Sequence, residues 1–428
     1  MYNPKLNFYE KLLILNVFYF LFISISLAQL PYTVPQYQIR KDSAVLVGTV
    51  TNYCNLNYDV KVNIYKPIGD NSINRPVAIF VHGGGLVSGE DFNEGNMNVF
   101  AMEFARRGYV GVSIDYREGV HLYPYGTGNP YPVGLGILAN WDADASLYTA
   151  DTAEIYRAAY RAQQDLKGVI RFMKKRNVED STNTCRYFLG SHSAGSITVL
   201  NTVFLDNESE KPSQAGALAN AANPSWRSDG FWWFGNWVVT QINGPQNRDN
   251  IAYRLHNPSP LNYGKAACYA RPDLGSIDGS LHTDAGYDTR VLGIAPMAGA
   301  LIDTNLLAIQ TYKPAIFFYH IANDLVVPYN VDKPFGFKCD LLQPCPNSNW
   351  PKLYGSNFLN NKLTQQNYPA AKILWTYNNG GNTLNSHDIL PYPVTVADSV
   401  AKFFAAVLDT CTTCPPKTIL ATTLFNAK

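Results

Sequence analysis

The chain has 428 residues, of which 46% are hydrophobic and only 16% are charged, against about 25% charged residues in an average soluble domain. Its 34 basic and 33 acidic residues leave a net charge of +1, and no long run of like charge occurs. These features exclude the basic groove of a nucleic-acid-binding protein and an electrostatic membrane-binding patch. The length suffices for one large α/β domain with insertions, or for two smaller domains.

The first 28 residues have the pattern of a secretory signal peptide. Lys5 and Lys11 precede an apolar run that ends at Leu27, and the tripeptide Ser26-Leu27-Ala28 has small residues at both ends, which favours cleavage near Ala28–Gln29. The alternative is a retained membrane anchor, but the run has about 16 residues and a spanning helix needs about 20. We therefore expect a secreted or periplasmic mature protein with no stable membrane span after signal cleavage.

Seven cysteines occur, and export permits disulfide bonds. Cys339 and Cys345 are close enough in sequence to pair locally, as are Cys411 and Cys414. Because seven is odd, at least one thiol is free or pairs between chains. Cys185 lies in an apolar run, and we expect it to be a buried free thiol. Nothing in the cysteine or histidine spacing predicts a metal site.

The first elements predicted along the chain are strands at 44–50 and 58–65. The second alternates apolar and polar residues, as a half-buried outer strand does. Residues 77–81 and 110–114 are instead continuous apolar runs, typical of parallel strands buried on both faces. A helical apolar stripe over 95–107 lies between these two runs, so the three segments predict a strand–helix–strand unit.

A second helix is predicted over 151–176, with Asp151 as a candidate cap. Further segments complete the pattern: buried strands at 185–190, 291–297, 315–320 and 371–377, and a closing amphipathic helix at 395–408. Strands that alternate with helices predict an α/β protein with a mostly parallel central sheet flanked by helices.

Residues 206–290 break this rhythm, because they are rich in proline and contain an aromatic cluster between Trp226 and Trp237. We interpret this stretch as an insertion that caps the functional edge of one domain spanning 29–410, followed by a tail at 411–428. The alternative is a surface loop with a small core of its own. Its tryptophans suggest an apolar or aromatic substrate surface.

The segment Ser191-His192-Ser193-Ala194-Gly195 follows a buried strand and precedes a helical stretch. Strand, sharp turn and helix are the context of a nucleophile elbow, in which only small residues fit two positions before and after the nucleophile. Ser191 replaces the usual glycine at the first of these positions, so the motif is SxSxG. Ser193 is the predicted nucleophile. We expect His192 to point away from the site.

Two later residues complete a catalytic set with Ser193. Asp324 comes directly after the strand predicted at 315–320, on the edge where open α/β sheets hold their active sites. His387 lies in a polar loop before the last helix. The order serine, aspartate, histidine is that of α/β-hydrolases and not of the two main protease types. Asp303 is the rival acid, and His320 is expected to lie within or to cap a strand.

His82-Gly83-Gly84-Gly85 follows the strand at 77–81, and its glycines allow the backbone to approach a ligand closely. Together with Asp115-Tyr116-Arg117 and Ser193-Ala194-Gly195, this motif resembles the carboxylesterase and hormone-sensitive-lipase-like branches of the α/β-hydrolases. The resemblance covers most of residues 40–410. It implies an oxyanion hole formed by Gly84, Gly85 and Ala194, and structural roles for Asp115 and Arg117.

These patterns predict a secreted serine carboxylic-ester hydrolase that acts on a small-molecule or lipid-like ester through Ser193, Asp324 and His387. The expected mechanism is an acyl-enzyme one that requires no metal and no cofactor. Two alternatives stay open. One is a serine peptidase of the same fold, because a triad does not distinguish esters from amides. The other is a non-catalytic binding protein on a hydrolase fold.

Overall fold

The structure is a computed structural model. The residues that it describes are 31–53, 55–86, 95–119, 151–220, 270–308, 312–335, 349–378, 386–389 and 392–410, with the backbone alone of 226–233 and 236–243. The predicted signal peptide (1–28) and the predicted tail (411–428) lie outside these residues. In the part of the chain described, no helix is both long and apolar enough to cross a membrane.

The core of the fold is one eight-stranded sheet. Its strands are β1 (Gln38–Thr51), β2 (Asn57–Ile68), β3 (Arg75–Val81), β4 (Val110–Ile114), β5 (Thr182–His192), β8 (Gly293–Met297), β10 (Ala315–Ile321) and β13 (Lys372–Tyr377). They lie in the order β1-β2-β4-β3-β5-β8-β10-β13. β1 pairs antiparallel with β2, and β2 pairs antiparallel with β4; all other neighbours are parallel.

The remaining elements are helices and short strands. The helices are α1 (Gly95–Arg106), α2 (Thr152–Lys175), α3 (Asn177–Asp180), α4 (Ala194–Phe204), α5 (Ser356–Gln365) and α6 (Pro393–Thr410). The short strands β9 (Ala300–Leu301), β11 (Val331–Asp332) and β12 (Leu353–Gly355) form a small sheet, and β6 (Trp226–Trp233) pairs with β7 (Asn236–Asn243) in a hairpin.

Helices cover the sheet on both faces, and the alternation within each strand decides which residues meet them. In β3, Phe80 packs with α1 and α6, in one apolar cluster that includes Phe104 and Phe404. Its neighbour Ile79 belongs to the cluster on the opposite face, where α2 and α4 pack. Because both faces of β3 are buried, every residue of this strand is buried. This confirms the predicted α/β class with a mostly parallel sheet.

The last strand of the sheet differs from the prediction. Residues 371–377 were expected to form a strand buried on both faces, but the residues of β13 are half-buried or exposed. β13 lies at the edge of the sheet, with β10 as its only partner in the described structure. An apolar run in the sequence cannot distinguish an edge strand from a central one.

Cys185 also differs from the prediction, because it is disulfide-bonded and not a free thiol. It lies in the first half of β5, where residues 183–186 are only half-buried, before the fully buried second half that begins at Tyr187. The apolar run that predicted burial therefore describes the second half of the strand only.

The described parts of the 206–290 stretch lie along α2. Carbonyls within 205–216 and 272–290 accept hydrogen bonds from polar side chains of this helix, among them Arg157, Gln163 and Arg171. The backbone between them includes the β6–β7 hairpin, whose tryptophan side chains are outside the described structure. The side chain of Asp151 makes no capping hydrogen bond to α2; its carboxylate instead pairs with Arg271 at 2.6 Å.

Candidate active site

Ser193 lies in the sharp turn between β5 and α4. Its φ of 55° and ψ of −124° place a non-glycine residue in a conformation that costs about 1–3 kcal/mol and occurs mostly at functional sites. The backbone N–H of Ser193 donates to the carbonyl of Met297 at 3.0 Å, which fastens the turn to β8. Gly195 is required on the other side, since a Cβ there would lie 2.3 Å from the carbonyl oxygen of Val81.

The departure from a GxSxG motif is accommodated by a second serine. Ser191 is fully buried, and its hydroxyl lies 3.0 Å from the hydroxyl of Ser196 in the first turn of α4. Ser196 in turn donates to the carbonyl of Met297 at 2.8 Å. Both buried hydroxyls therefore have partners, and Ser191 adds no unpaired polar group to the elbow.

The structure brings Ser193, His387 and Asp324 together in one hydrogen-bonded chain. Nε2 of His387 lies 2.7 Å from Oγ of Ser193, and Nδ1 of the same ring lies 2.8 Å from Oδ2 of Asp324. The other carboxylate oxygen, Oδ1, accepts from the backbone N–H groups of Val326 and Val327 at 2.8 and 3.0 Å. The predicted nucleophile, base and acid, which are up to 194 residues apart in sequence, thus lie within hydrogen-bonding distance.

Asp324 is buried, and its environment keeps it ionised. Burial alone would raise the pKa of this carboxyl, but His387 and His320 beside it, and the hydrogen bonds they donate, hold the pKa well below its usual range. The ionised carboxylate of Asp324 accepts a hydrogen bond from the N–H at Nδ1 of His387, so the unprotonated Nε2 of that ring faces Ser193. This is the tautomer that a general base for a serine hydroxyl needs.

The sequence interpretation of His192 was wrong. Its ring lies against that of His387, with centroids 4.9 Å apart, and its Nε2 donates to the backbone carbonyl of His387 at 2.8 Å. Burial, together with the nearby His387, lowers the pKa of His192 to about 3, so this ring is neutral at ordinary pH. A strand residue next to the elbow was expected to turn away, but the loop that carries His387 lies over it.

The glycine loop approaches the nucleophile from β3. A Cβ added to Gly83 would lie 3.0 Å from the Cβ of Ser193, so a larger residue there would crowd the nucleophile. Gly84 and Gly85 have φ values of 113° and 65°, which favour glycine. Ala194 is the first residue of α4, where backbone N–H groups have no partner within the helix. The three residues predicted to form an oxyanion hole thus lie in segments that meet at Ser193.

A tyrosine supports this loop from below. The Tyr116 hydroxyl donates to the carbonyl of His82 at 3.0 Å, and its ring stacks on the His82 ring at 4.6 Å. The residues on either side of Tyr116 are also held. Asp115 accepts from the Tyr58 hydroxyl at 2.6 Å, and Arg117 forms an ion pair with the buried Asp165 at 2.7 Å.

Asp303 and two further histidines, His282 and His320, each have structural partners. The carboxylate of Asp303, the rival acid, accepts from the backbone N–H of Asn305 and caps the 3₁₀ turn Thr304–Leu307. His282 lies against Phe172 and binds the carbonyl of Val47. His320 lies within β10 as expected, but sequence reasoning missed that it also contacts Asp324. Its position four residues before the acid, at the end of a strand, was the available clue.

No protein-family model and no curated protein sequence matches the chain. Among solved structures it is similar to a thermophilic esterase, Est2, from the planctomycete Thermogutta terrifontis. The native form is 13% identical with a TM-score of 0.42, and the match covers 90% of this chain and 97% of that one. The propionate-bound form is 14% identical with a TM-score of 0.41, over 87% and 95%. The sheet order and the strand–elbow–helix geometry around Ser193 show that this chain has the α/β-hydrolase fold.

Proposed function

We propose that the protein is a secreted serine carboxylic-ester hydrolase of the carboxylesterase or lipase-like type. The observation that carries this proposal is the continuous chain from Oγ of Ser193 through the His387 ring to Oδ2 of Asp324, with contacts of 2.7 and 2.8 Å. A strained nucleophile turn and an adjacent glycine loop support it. The disulfide at Cys185 supports export, because such bonds persist in oxidising compartments.

Each residue of the site has a defined role in ester hydrolysis. Oγ of Ser193 attacks the ester carbonyl while Nε2 of His387 takes its proton. The negative oxygen of the tetrahedral intermediate is bound by backbone N–H groups of Gly84, Gly85 and Ala194. His387 then gives its proton to the departing alcohol, which leaves an acyl group on Ser193. Water repeats the sequence, again with His387 as the base, and releases the acid.

Hydrolysis of para-nitrophenyl acetate, butyrate and octanoate by the mature protein tests this proposal. We expect the wild type to turn over at least one of them, and Ser193→Ala to lose about three orders of magnitude or more in kcat. Ser209→Ala, which removes an exposed hydroxyl outside the site, is the matched control and keeps full activity. The neutral ring of His387 is the active form, since a protonated imidazole cannot accept a proton from Ser193.

Paraoxon distinguishes the remaining alternatives. In the proposed reaction the Ser193 oxygen forms a bond to phosphorus and para-nitrophenolate leaves, so one diethylphosphoryl group is found on Ser193 by peptide mass spectrometry. Labelling without ester turnover favours the peptidase, and aminopeptidase substrates are then the next assay. If the protein is not labelled and turns over no ester, the non-catalytic binding protein is favoured and the proposal is contradicted.

A further inference from the structure

Asp324 has a second histidine partner besides His387. His320, the second-last residue of β10, is fully buried, and its Nε2 lies 3.2 Å from Oδ2 of Asp324. The same oxygen binds Nδ1 of His387 at 2.8 Å. Two imidazoles therefore converge on one carboxylate oxygen, while the other oxygen is held by backbone N–H groups.

The surroundings of His320 determine where it carries a proton. Nε2 faces two acceptors, the Asp324 carboxylate and the carbonyl of Val327 at 3.1 Å, so Nε2 must be the protonated nitrogen. Nδ1 lies 2.9 Å from the hydroxyl of Ser356, which also reaches the carbonyl of Gly299 at 3.2 Å. The Ser356 hydroxyl, which has one proton, thus lies between two acceptors, Nδ1 of His320 and the carbonyl of Gly299, on the side of the ring away from the acid.

We propose that His320 is a positioning residue of the triad, which shares one oxygen of Asp324 with His387 and limits how strongly that oxygen binds the His387 ring. This inference rests on the proposed function. An oxygen that already accepts one N–H bond has less negative charge available for a second donor. Because Nε2 of His320 is a fixed donor, it also prevents rotation of the carboxylate away from His387. The hydrogen bond acts through Asp324, and His320 does not contact Ser193.

Removal of the His320 N–H donor is expected to shift the pH profile of kcat/KM in one direction. The groups that face His320 are Asp324, Ser356 and the edge-on ring of Tyr329, while His387 faces Asp324, Ser193 and His192. Without the His320 N–H, Asp324 stabilises the protonated His387 ring more strongly. The acid limb of the kcat/KM profile therefore moves to higher pH, whether His320 is neutral or positively charged.

The experiment compares His320→Leu with His320→Gln in ester hydrolysis from pH 4.5 to 9, with active sites counted by paraoxon labelling. For His320→Leu we expect kcat per active site to fall about 10- to 100-fold and KM to change less than about threefold. We also expect the midpoint of the acid limb of its kcat/KM profile to move to higher pH by about half a unit or more. The amide of His320→Gln restores a donor to Asp324, so both effects are largely reversed.

His282→Leu is the matched control, since it also removes a histidine that binds a backbone carbonyl but lies far from Asp324. It is expected to lower stability without a change in the pH profile. A His320→Leu protein with a wild-type acid limb and wild-type kcat per active site overturns the proposal and leaves His320 a structural residue.

Histidine side-chain NMR of the wild type provides a second, independent test. The Nε2 proton of His320, assigned by its loss in His320→Gln, is expected to stay bound and to shift in step with the titration of His387. If the chemical shift of this proton does not change as His387 titrates, the two histidines do not share Asp324 and the proposal is contradicted. This measurement decides the matter if His320→Leu does not fold. If the wild type hydrolyses no ester, the proposed function fails, while the coupling of the two rings is still measured.

Discussion

His192, directly before the nucleophile, links the site to stability at acid pH. Its pKa is about 3 in the folded protein, against 6.5 for an unperturbed histidine. Between these values the unfolded chain binds a proton that the folded protein does not, so unfolding becomes easier as the pH falls below 6.5. Above pH 6.5 both states are neutral and this contribution to the pH dependence vanishes.

We expect this residue to contribute about 1.4 kcal/mol of lost stability for each pH unit below that point. In urea unfolding, the wild type should therefore lose about 2 kcal/mol more than His192→Gln between pH 7.5 and pH 5. Glutamine does not titrate and retains an N–H donor for the carbonyl of His387. An equal pH dependence in the two proteins contradicts a neutral buried His192.

The triad was predicted from the sequence because each member follows a strand whose position the apolar runs reveal. Ser193, Asp324 and His387 needed only the chain order and the strand ends. The two supporting histidines were not predictable in this way. The contact of His192 depends on where a loop almost 200 residues later folds back. The contact of His320 depends on the tight turn between β10 and Asp324, which no period in the sequence encodes.

Among the elements, α2 shows what periodicity predicts and what it does not. Its apolar stripe predicted a helix over 151–176, and the helix extends from Thr152 to Lys175. A helix with one apolar stripe ordinarily exposes its polar face. Here the polar face is buried as well, because residues 271–290 cover it and accept its hydrogen bonds. Residues 271–290 have no regular spacing of apolar residues, so their sequence does not indicate which element they pack against.

Arg171 is the residue of α2 at which this packing can be tested. It is buried and donates to the carbonyls of Leu281 and Asp278 at 2.9 and 2.5 Å. Arg171→Met keeps much of the side-chain volume but leaves both carbonyls without this donor, which should cost about 2–3 kcal/mol. Because those contacts are local, amide hydrogen exchange should accelerate first in residues 276–286, before the sheet is affected.

Lys175→Met is the control for this change, since Lys175 is an exposed residue of the same helix. It removes one charge from the last turn and should alter stability by less than about 0.5 kcal/mol. Equal exchange rates over 276–286 in Arg171→Met and the wild type would mean that the two Arg171 hydrogen bonds do not hold this segment in place.

At the scale of the whole molecule, one buried arginine joins the ends of the domain. Arg107 is 1% exposed and follows α1. It donates to the carbonyl of Thr33 at 3.3 Å, near the start of the described chain, and forms an ion pair with Glu103 at 2.7 Å. It also pairs with Asp398 in α6, the last helix. The sequence predicted α1 and α6 separately, but no pattern in either helix indicated that they are joined by a buried charge.

Arg107→Met should therefore weaken the whole domain and not a single loop. Loss of one partner from a buried ion pair typically costs about 3–5 kcal/mol, because the remaining charge has no compensation. Glu103 retains its pair with Arg106, so we expect a loss in the free energy of unfolding at the lower end of this range, near 3 kcal/mol. In guanidinium unfolding this loss appears as a lower midpoint with an unchanged dependence of the free energy on denaturant concentration. Asp398→Asn removes only the half-exposed partner and should cost less than about 1 kcal/mol. If the two variants were equally destabilised, the stabilisation by Arg107 would come from its contact with α6 alone. Its contacts with Thr33 and Glu103 would then contribute nothing.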